Sequence, residues 1–395
     1  MKVCVLAPDV PYPANRGGRV DVMRRLLAMK SFGHDVLLLT PQADRAHESE
    51  ADATRYLASV GIDWRQIPRR RGAALLGSMV MNAGRLPFFV ARRHPAGQDM
   101  VELTTAVEAF GPDLLWLDGP WLWPLARQIR RRRPCALAYR SHNVEHRYMQ
   151  GQAALTRGAL AKLKMRLSFA GLEALERAAI ADADAFFDIS LDDLQWWRVQ
   201  SGRWLPPLPV SGNAGAAAVE RNDVVFVGNL TTPNNVAGVR WLVDEVMPLV
   251  RQRRPEIRLH VVGSNPASEL VAQVERGGGV VDKNVDDPFA FMLSAGVLVN
   301  PVMAGSGVQL KMLDMLMTDR PIVSGTQGMR GLPESFLSQV RLAKTPQEFA
   351  EQIIASVDDE AVDVPGRQAL RRMFDARAVD DALNQCVALA QGRGA

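Results

Sequence analysis

The chain has 395 residues, of which 47% are hydrophobic, 23% charged and 6% aromatic, a globular composition too long for one core, so two domains are expected. Lys and Arg outnumber Asp and Glu by 47 to 43, but the basic clusters carry no interleaved aromatics or zinc-knuckle spacing, so no nucleic-acid partner is expected. Three scattered cysteines, Cys4, Cys135 and Cys386, argue against a disulfide framework and for a reduced, cytoplasmic setting.

The chain opens as strand, loop, helix, strand: "KVCVLAP", "DVPYPANRGG", "RVDVMRRLLAMKSFG" closed by Gly33, then "HDVLLLT". Short apolar runs "DLLWLDG", "CALAYRS" and "AFFDIS" follow, alternating with helical stretches such as "ALAKLKMRLSFAGLEALERAAIADAD", which predicts parallel β-α-β winding. The pattern breaks from Arg203 to Asp223, where prolines and small residues read as a linker. Strand and helix alternation then resumes: "DVVFVGN", the helix "NVAGVRWLVDEVMPLVRQRRP", "IRLHVVGS", "VVDKN", the helix "DPFAFMLSAG", "VLVNPV", the helix "VQLKMLDMLMTD" and "PIVSG". The tail from Val364 is helical in pattern. Domains are therefore expected at 1–205 and 215–365, with a helix over 370–395 packing back on the first. Two such sheets facing a cleft would bind ligand at their carboxyl edges. No apolar segment approaches the ~20 residues that span a bilayer. Membrane contact, if made, is expected to be peripheral, through basic stretches such as "KLKMR" and "RRRR" on an anionic surface.

Three constellations carry chemistry. "NPVMAGSGVQLKMLDM" sets Gly305, Ser306 and Gly307 between a strand and a helix, where free amides receive a phosphate or diphosphate. Lys311 adds a charge, and Asp314, on the same face, can accept from ribose hydroxyls. "ADADAFFDIS" offers Asp182 and Asp184 as a D-x-D pair, read as a solvated helix terminus followed by a Ser190 cap. In "RSHNVEH", His142, Glu145 and His146 spell H-x-x-E-H, a zinc-peptidase spacing that works only if both histidines share a helix face.

The order and spacing of these blocks resemble the retaining GT-B glycosyltransferases of family four (glycosyl transferases group 1). The likeness is close from Val224 to Glu334, through "HVVGSNP", "DPFAFMLSAGVLVNP" and "GSGVQLKMLDM...RPIVSGTQGMRGL", and extends to "LAPDVPYPANRGG" and "RSHNVEHRY". It implies an α/β fold of two Rossmann-like, doubly wound parallel-sheet domains, the first on the acceptor side and the second binding donor. His142, just past its strand, would then reach the donor sugar, and Glu145 and His146 would support its loop. No metal ligand is expected, since the histidine pair loses its shared face and such a site neutralises diphosphate without carboxylate-held metal.

By the same resemblance Gly17 and Gly18 belong to the glycine-rich loop that approaches donor or acceptor, ahead of the neighbouring Arg16 and Arg19. Gly228, Asn229, Gly263, Val285, Val308 and Gln309 join Gly305, Ser306, Gly307 and Asp314 in donor binding, the base lying near Gly263 and the Val285 backbone. Two departures stand out. Asn229 and Asn234 occupy positions where the family often has arginine and lysine, and Ser306 and Asp314 replace its paired glutamates. The implied function is hexosyl transfer, with retention, from a nucleotide-diphosphate sugar to a hydroxyl of a glycan, lipid-linked or small-molecule acceptor. No cofactor or metal is expected, and catalysis would rest on Lys311 and His142. A nucleotide-sugar epimerase of the same fold and a noncatalytic sugar-nucleotide or glycan-binding subunit are the alternatives. A dinucleotide dehydrogenase is set aside because G-x-G-x-x-G does not follow the first strand.

Overall fold

The structure is a computed structural model that describes residues 1–42, 50–69, 72, 75, 77, 86–95, 97–156, 158–210, 219–303, 307–358 and 362–393. It divides into two compact units, one formed by Met1–Ala14, Gly18–Pro206 and Ala376–Ala395, the other by Asn15–Gly17 and Pro207–Asp375.

The first unit holds strands β1 (Lys2–Leu6), β2 (Asp35–Pro41), β3 (Ile62–Ile67), β4 (Leu114–Asp118), β5 (Ala136–Ser141), β6 (Ala185–Asp188) and β7 (Arg203–Trp204). They form one sheet in the order β3-β2-β1-β4-β5-β6-β7, with parallel pairing throughout. Val3, Cys4, Val5 and Leu6 are all fully buried, which happens only when helices cover both faces of a strand. The strand order reverses between β1 and β4, so the switch point of this sheet lies beyond Leu6 and Asp118. The helix Arg377–Arg393 belongs to this unit, burying Val379, Leu383 and Cys386 and accepting a 2.8 Å bond from buried His34 at Asp380.

The second unit holds β8 (Glu220–Asn229), β9 (Arg258–Ser264), β10 (Val280–Lys283), β11 (Ala295–Asn300), β12 (Ile322–Ser324) and β13 (Arg341–Leu342). The order is β10-β9-β8-β11-β12-β13, again parallel. Its switch point lies between the ends of β8 and β11, beyond Asn229 and Asn300. Phe226, Val261, Val297 and Val299 stand at the centre of its core.

Several elements differ from the sequence reading. Arg203 and Trp204, assigned above to the linker, form β7 and pair with Phe187 and Asp188. The single helix expected over "ALAKLKMRLSFAGLEALERAAIADAD" is two, Ala159–Ser168 and Leu172–Asp182, because Gly171 turns left-handed at φ +82°. The helix expected from Asn235 to Pro255 is present as an uninterrupted run from Pro233 to Arg253, but with one wide turn, Leu242–Val246, between Pro233–Trp241 and Met247–Arg253. Pro248 accounts for the wide turn, since it has no N–H to give to the residues before it. The tail is likewise a helix Val364–Arg371 followed, after a turn, by Arg377–Arg393. Gly33 does close the first helix, Gly17–Ser31, at φ +77°, with His34 N–H reaching back to Met29.

Candidate functional site

The carboxyl edge of the first sheet carries a buried charge network. Asp118 ends β4, Arg140 and Ser141 end β5, and the helix after β1 contributes Asp21 and Arg25. Arg140 grips Asp21 through two bonds of 2.6 and 3.1 Å, and Arg25 donates to Asp118 at 2.5 Å and to Asp21 at 3.4 Å. Trp116 Nε1 adds a bond to Asp118 at 3.2 Å, and its ring lies 5.5 Å below the Arg25 guanidinium. Burial alone would push the Asp21 carboxyl up. Arg140 and Arg25 outweigh it and hold the group well below the usual carboxylate range. Asp118 is lowered too, Arg25 and His142 prevailing over desolvation. Two cations and two anions, each without access to water, balance one another, and removing any one would strand a buried charge.

His142 sits at the rim of this network, just past β5, with 17% of its side chain exposed. Its Nε2 is 3.1 Å from Asp118 Oδ1 and its Nδ1 3.6 Å from Asp21 Oδ2. These two carboxylates, one at each ring nitrogen, hold the plane of the imidazole at the edge of the network. His146 faces elsewhere. It lies in the helix Glu145–Leu155, its Nδ1 2.6 Å from Glu176, its ring against Trp196 and Trp197. The two histidines of H-x-x-E-H therefore point to different carboxylates. The Glu145 and His146 amides both donate to Glu176, which anchors the loop carrying His142. Glu145 itself is pushed up to about 8, by burial first and Glu176 second.

The D-x-D pair is a correction. Asp184 is buried at 6% exposure, not solvated. It accepts from Arg130 at 2.5 Å and from the Leu137 amide at 2.9 Å, while Asp182 accepts from Trp123 Nε1 at 3.0 Å. Both carboxylates are thus tied to the fold, and Arg130, which holds the Asp184 carboxylate, also donates to the Asp182 backbone carbonyl. Ser190 caps the next helix as expected, accepting from the Asp193 amide.

In the second unit the edge centres on Lys311. It lies in the first turn of the helix Leu310–Leu316, its ammonium 2.8 Å from Asn235 Oδ1 and 4.5 Å from the centre of the Phe226 ring. Neither partner carries charge, and burial lowers the group to about 7. Asn235 also donates to the Asn229 carbonyl at 2.9 Å, so it links the end of β8 to the lysine. Gln309 does not cap the helix. Its side chain accepts from Asn300 at 2.9 Å and donates to the Gln327 carbonyl at 3.3 Å. Asp314 Oδ1 accepts from the Val210 amide at 2.8 Å. Gly307 holds φ +73°, which a side chain would strain, and Val308 follows half-buried. Gly305 and Ser306 lie outside the described residues.

Gly228 and Gly263 are needed for packing. A Cβ on Gly263 would sit 2.5 Å from the Gly228 carbonyl oxygen, and one on Gly228 would sit 2.9 Å from the Phe226 ring. The Gly263 carbonyl accepts from the Asn284 amide at 3.0 Å, and Asn284 Oδ1 from the Asn265 amide at 2.8 Å. Both asparagines have positive φ, a conformation Asn tolerates better than most residues. They brace the loops after β9 and β10 beside Val285. Asn229 spends its own Oδ1 on the Thr231 amide and hydroxyl, and Asn234 is exposed. Gly17 and Gly18 form the first residues of their helix, and a Cβ on either would meet nothing within 4 Å. Arg19 is paired with Asp9 at 2.8 Å.

Sequence reasoning missed Asp21, Arg25, Asp118 and Arg140, whose partners lie up to 119 residues apart. It also missed Asn235 and Phe226. The "NN" of Asn234–Asn235 is a signal in the sequence, and it is its second member that reaches the lysine.

Two doubly wound parallel sheets of this kind, each with its charged or polar groups at the carboxyl edge, constitute the GT-B fold. Solved structures bear out that class. A TarM mutant from S. aureus in complex with fondaparinux, alpha-GlcNAc-glycerol and UDP superposes with a TM-score of 0.65 at 10% identity, over 98% of this chain and 99% of that one. HepE from Anabaena in complex with UDP gives 0.64 at 13% identity, over 98% and 100%. Residues 221–359 match the family described as "Glycosyl transferases group 1". An uncharacterized 44.6 kDa protein in the cps region of Klebsiella pneumoniae is 24% identical over 366 residues, 89% of this chain and 90% of that protein.

Proposed function

We propose that this protein is a glycosyltransferase that moves a sugar from a nucleotide-diphosphate sugar to a hydroxyl of a glycan, lipid-linked or small-molecule acceptor, with retention at the anomeric carbon. The observation that carries the reading is Lys311, a buried ammonium that meets, among the described residues, an amide oxygen and an aromatic ring. Such a cation gains most from an anion brought to it, and a diphosphate supplies two phosphates at once. As the sugar's bond to the diphosphate breaks, negative charge builds on the leaving oxygens. A fixed cation in a dry setting stabilises that charge more than it stabilises the ground state, by about 3 kcal/mol for a well-placed donor. His142, its ring fixed by Asp118, is assigned to the sugar. The match over residues 221–359, and the UDP bound to the HepE and TarM neighbours, support a nucleoside diphosphate donor with uridine first in order.

The test is a thermal-shift screen of the purified chain against uridine, guanosine, adenosine and thymidine diphosphate sugars. Release of free nucleoside diphosphate with candidate acceptors and NMR of the product's anomeric centre follow. A raised unfolding temperature with one donor is expected. No shift with any of the four overturns the reading. Asn229 and Asn234, uncharged where the resemblance leads one to expect cations, are the observation that favours the noncatalytic alternative. Donor binding without turnover across the acceptor classes would establish it.

A further inference from the structure

The helix Ala159–Ser168, "ALAKLKMRLS", buries none of its residues. Leu160, Leu163 and Leu167 are 65%, 53% and 63% exposed. At ~100° per residue these leucines fall within about 60° of arc, with Lys164 on one side of the stripe and Arg166 on the other. The opposite face is the one that meets the protein. Lys162 and Met165 are half-buried there, Met165 sulfur receives the Thr156 hydroxyl at 3.2 Å, and Phe169 just beyond stacks on Phe89 at 5.1 Å. An ordinary surface helix turns leucine inward and lysine outward. This one turns its leucines out, between cations, and contains no acidic residue.

We propose that this face docks the protein on an anionic phospholipid surface, the leucines entering the acyl boundary and the flanking Lys164 and Arg166 meeting lipid phosphates. Charge selects this occupant. A second copy laid on the stripe would set these cations against their own kind, and a neutral surface would leave them without counterions. In the basic stretch Arg130–Arg133, two of the cations are engaged by the fold. Arg130 is held by Asp184 and by the Cys135 and Asp182 carbonyls, and Arg132 by the Thr104 hydroxyl. The inference goes beyond the proposed transfer reaction and stands without it, since docking needs neither donor nor turnover.

The test is flotation of the full chain with phosphatidylcholine vesicles, with and without phosphatidylglycerol. The wild type is expected to float with the phosphatidylglycerol vesicles and to be released by salt. Leu163→Glu/Leu167→Glu is expected to lower the bound fraction by about tenfold or more, and Lys164→Gln/Arg166→Gln to remove the preference for anionic lipid. Both variants alter exposed side chains, and matching circular dichroism and unfolding temperatures will confirm that each is folded. Wild type that stays with the unbound fraction in both vesicles, or folded variants that bind as well as wild type, overturns the proposal. So does a wild-type dimer in light scattering that the Leu→Glu pair abolishes, which would give the face to a second copy.

Discussion

Burial of an ammonium beside uncharged partners sets the sign of two measurements at Lys311. Its folded value, about 7, lies below the ordinary 10.5, so the folded chain holds fewer protons than the unfolded one between those limits. Stability contributed by this residue therefore rises as pH climbs from about 7 to about 10.5. Lys311→Met should lose that rise and be at least as stable as wild type at pH 7 by thermal unfolding, while its donor affinity falls by about tenfold to hundredfold. A bound diphosphate should also draw a proton onto Lys311. Calorimetry of donor binding at pH 8 in two buffers of different ionisation enthalpy should give different heats, and the same heat for Lys311→Met. Glu145 behaves oppositely. Its folded value, about 8, lies above the ordinary 4.5, with desolvation the first cause and Glu176 the second, so stability falls as pH rises from about 4.5 to about 8. Glu145→Gln should unfold at a higher temperature than wild type at pH 8, and the gap should close at pH 4. Of the residues in these two settings, Lys311 and His142 were legible because each follows a strand in a motif with fixed spacing. Asp21, Arg25 and Arg140 were not. Asp21 and Arg25 lie in the helical "RVDVMRR" and Arg140 at the end of "ALAYRS", and only the folded sheet brings Arg140 to Asp21.

Elements were legible where hydrophobic periodicity was strong and illegible where tertiary context overrode it. The central strands β1, β4, β5, β8 and β11 are runs of buried apolar residues. β3, by contrast, reads "IDWRQI" and alternates buried with exposed residues, as an edge strand does. β7 and β13 have two residues each, too few to carry a period. The break at Gly171 lies within an otherwise continuous helical pattern, and only its left-handed φ shows that the glycine is required there. A Cβ at Gly171 would meet nothing within 4 Å, so the cost of Gly171→Ala is confined to the backbone. It should destabilise the protein by about 1–2 kcal/mol, read as a lower urea midpoint with unchanged slope. Gly263→Ala is a different case, because the added carbon would sit 2.5 Å from the Gly228 carbonyl. The strands β8 and β9 would have to part, and both stability and donor affinity should fall.

At the scale of the whole molecule, two sheets of the same winding were foreseeable from the repeated alternation of strand and helix, and the tail expected to pack back on the first unit is grouped with it. Arg377–Arg393 places Val379, Leu383 and Cys386 in the core of the first unit and joins His34 through Asp380. Ending the chain after Asp375 would uncover that apolar surface. The truncated protein should show an earlier first unfolding transition in calorimetry, and limited proteolysis should degrade the first unit before the second. Among the described residues no helix is long and apolar enough to cross a membrane. The chain thus leaves the first unit at Pro206, builds the second, and returns. During synthesis the first unit must wait, one wall missing, until its final twenty residues emerge from the ribosome. The second, finished earlier, is the natural place for folding to begin.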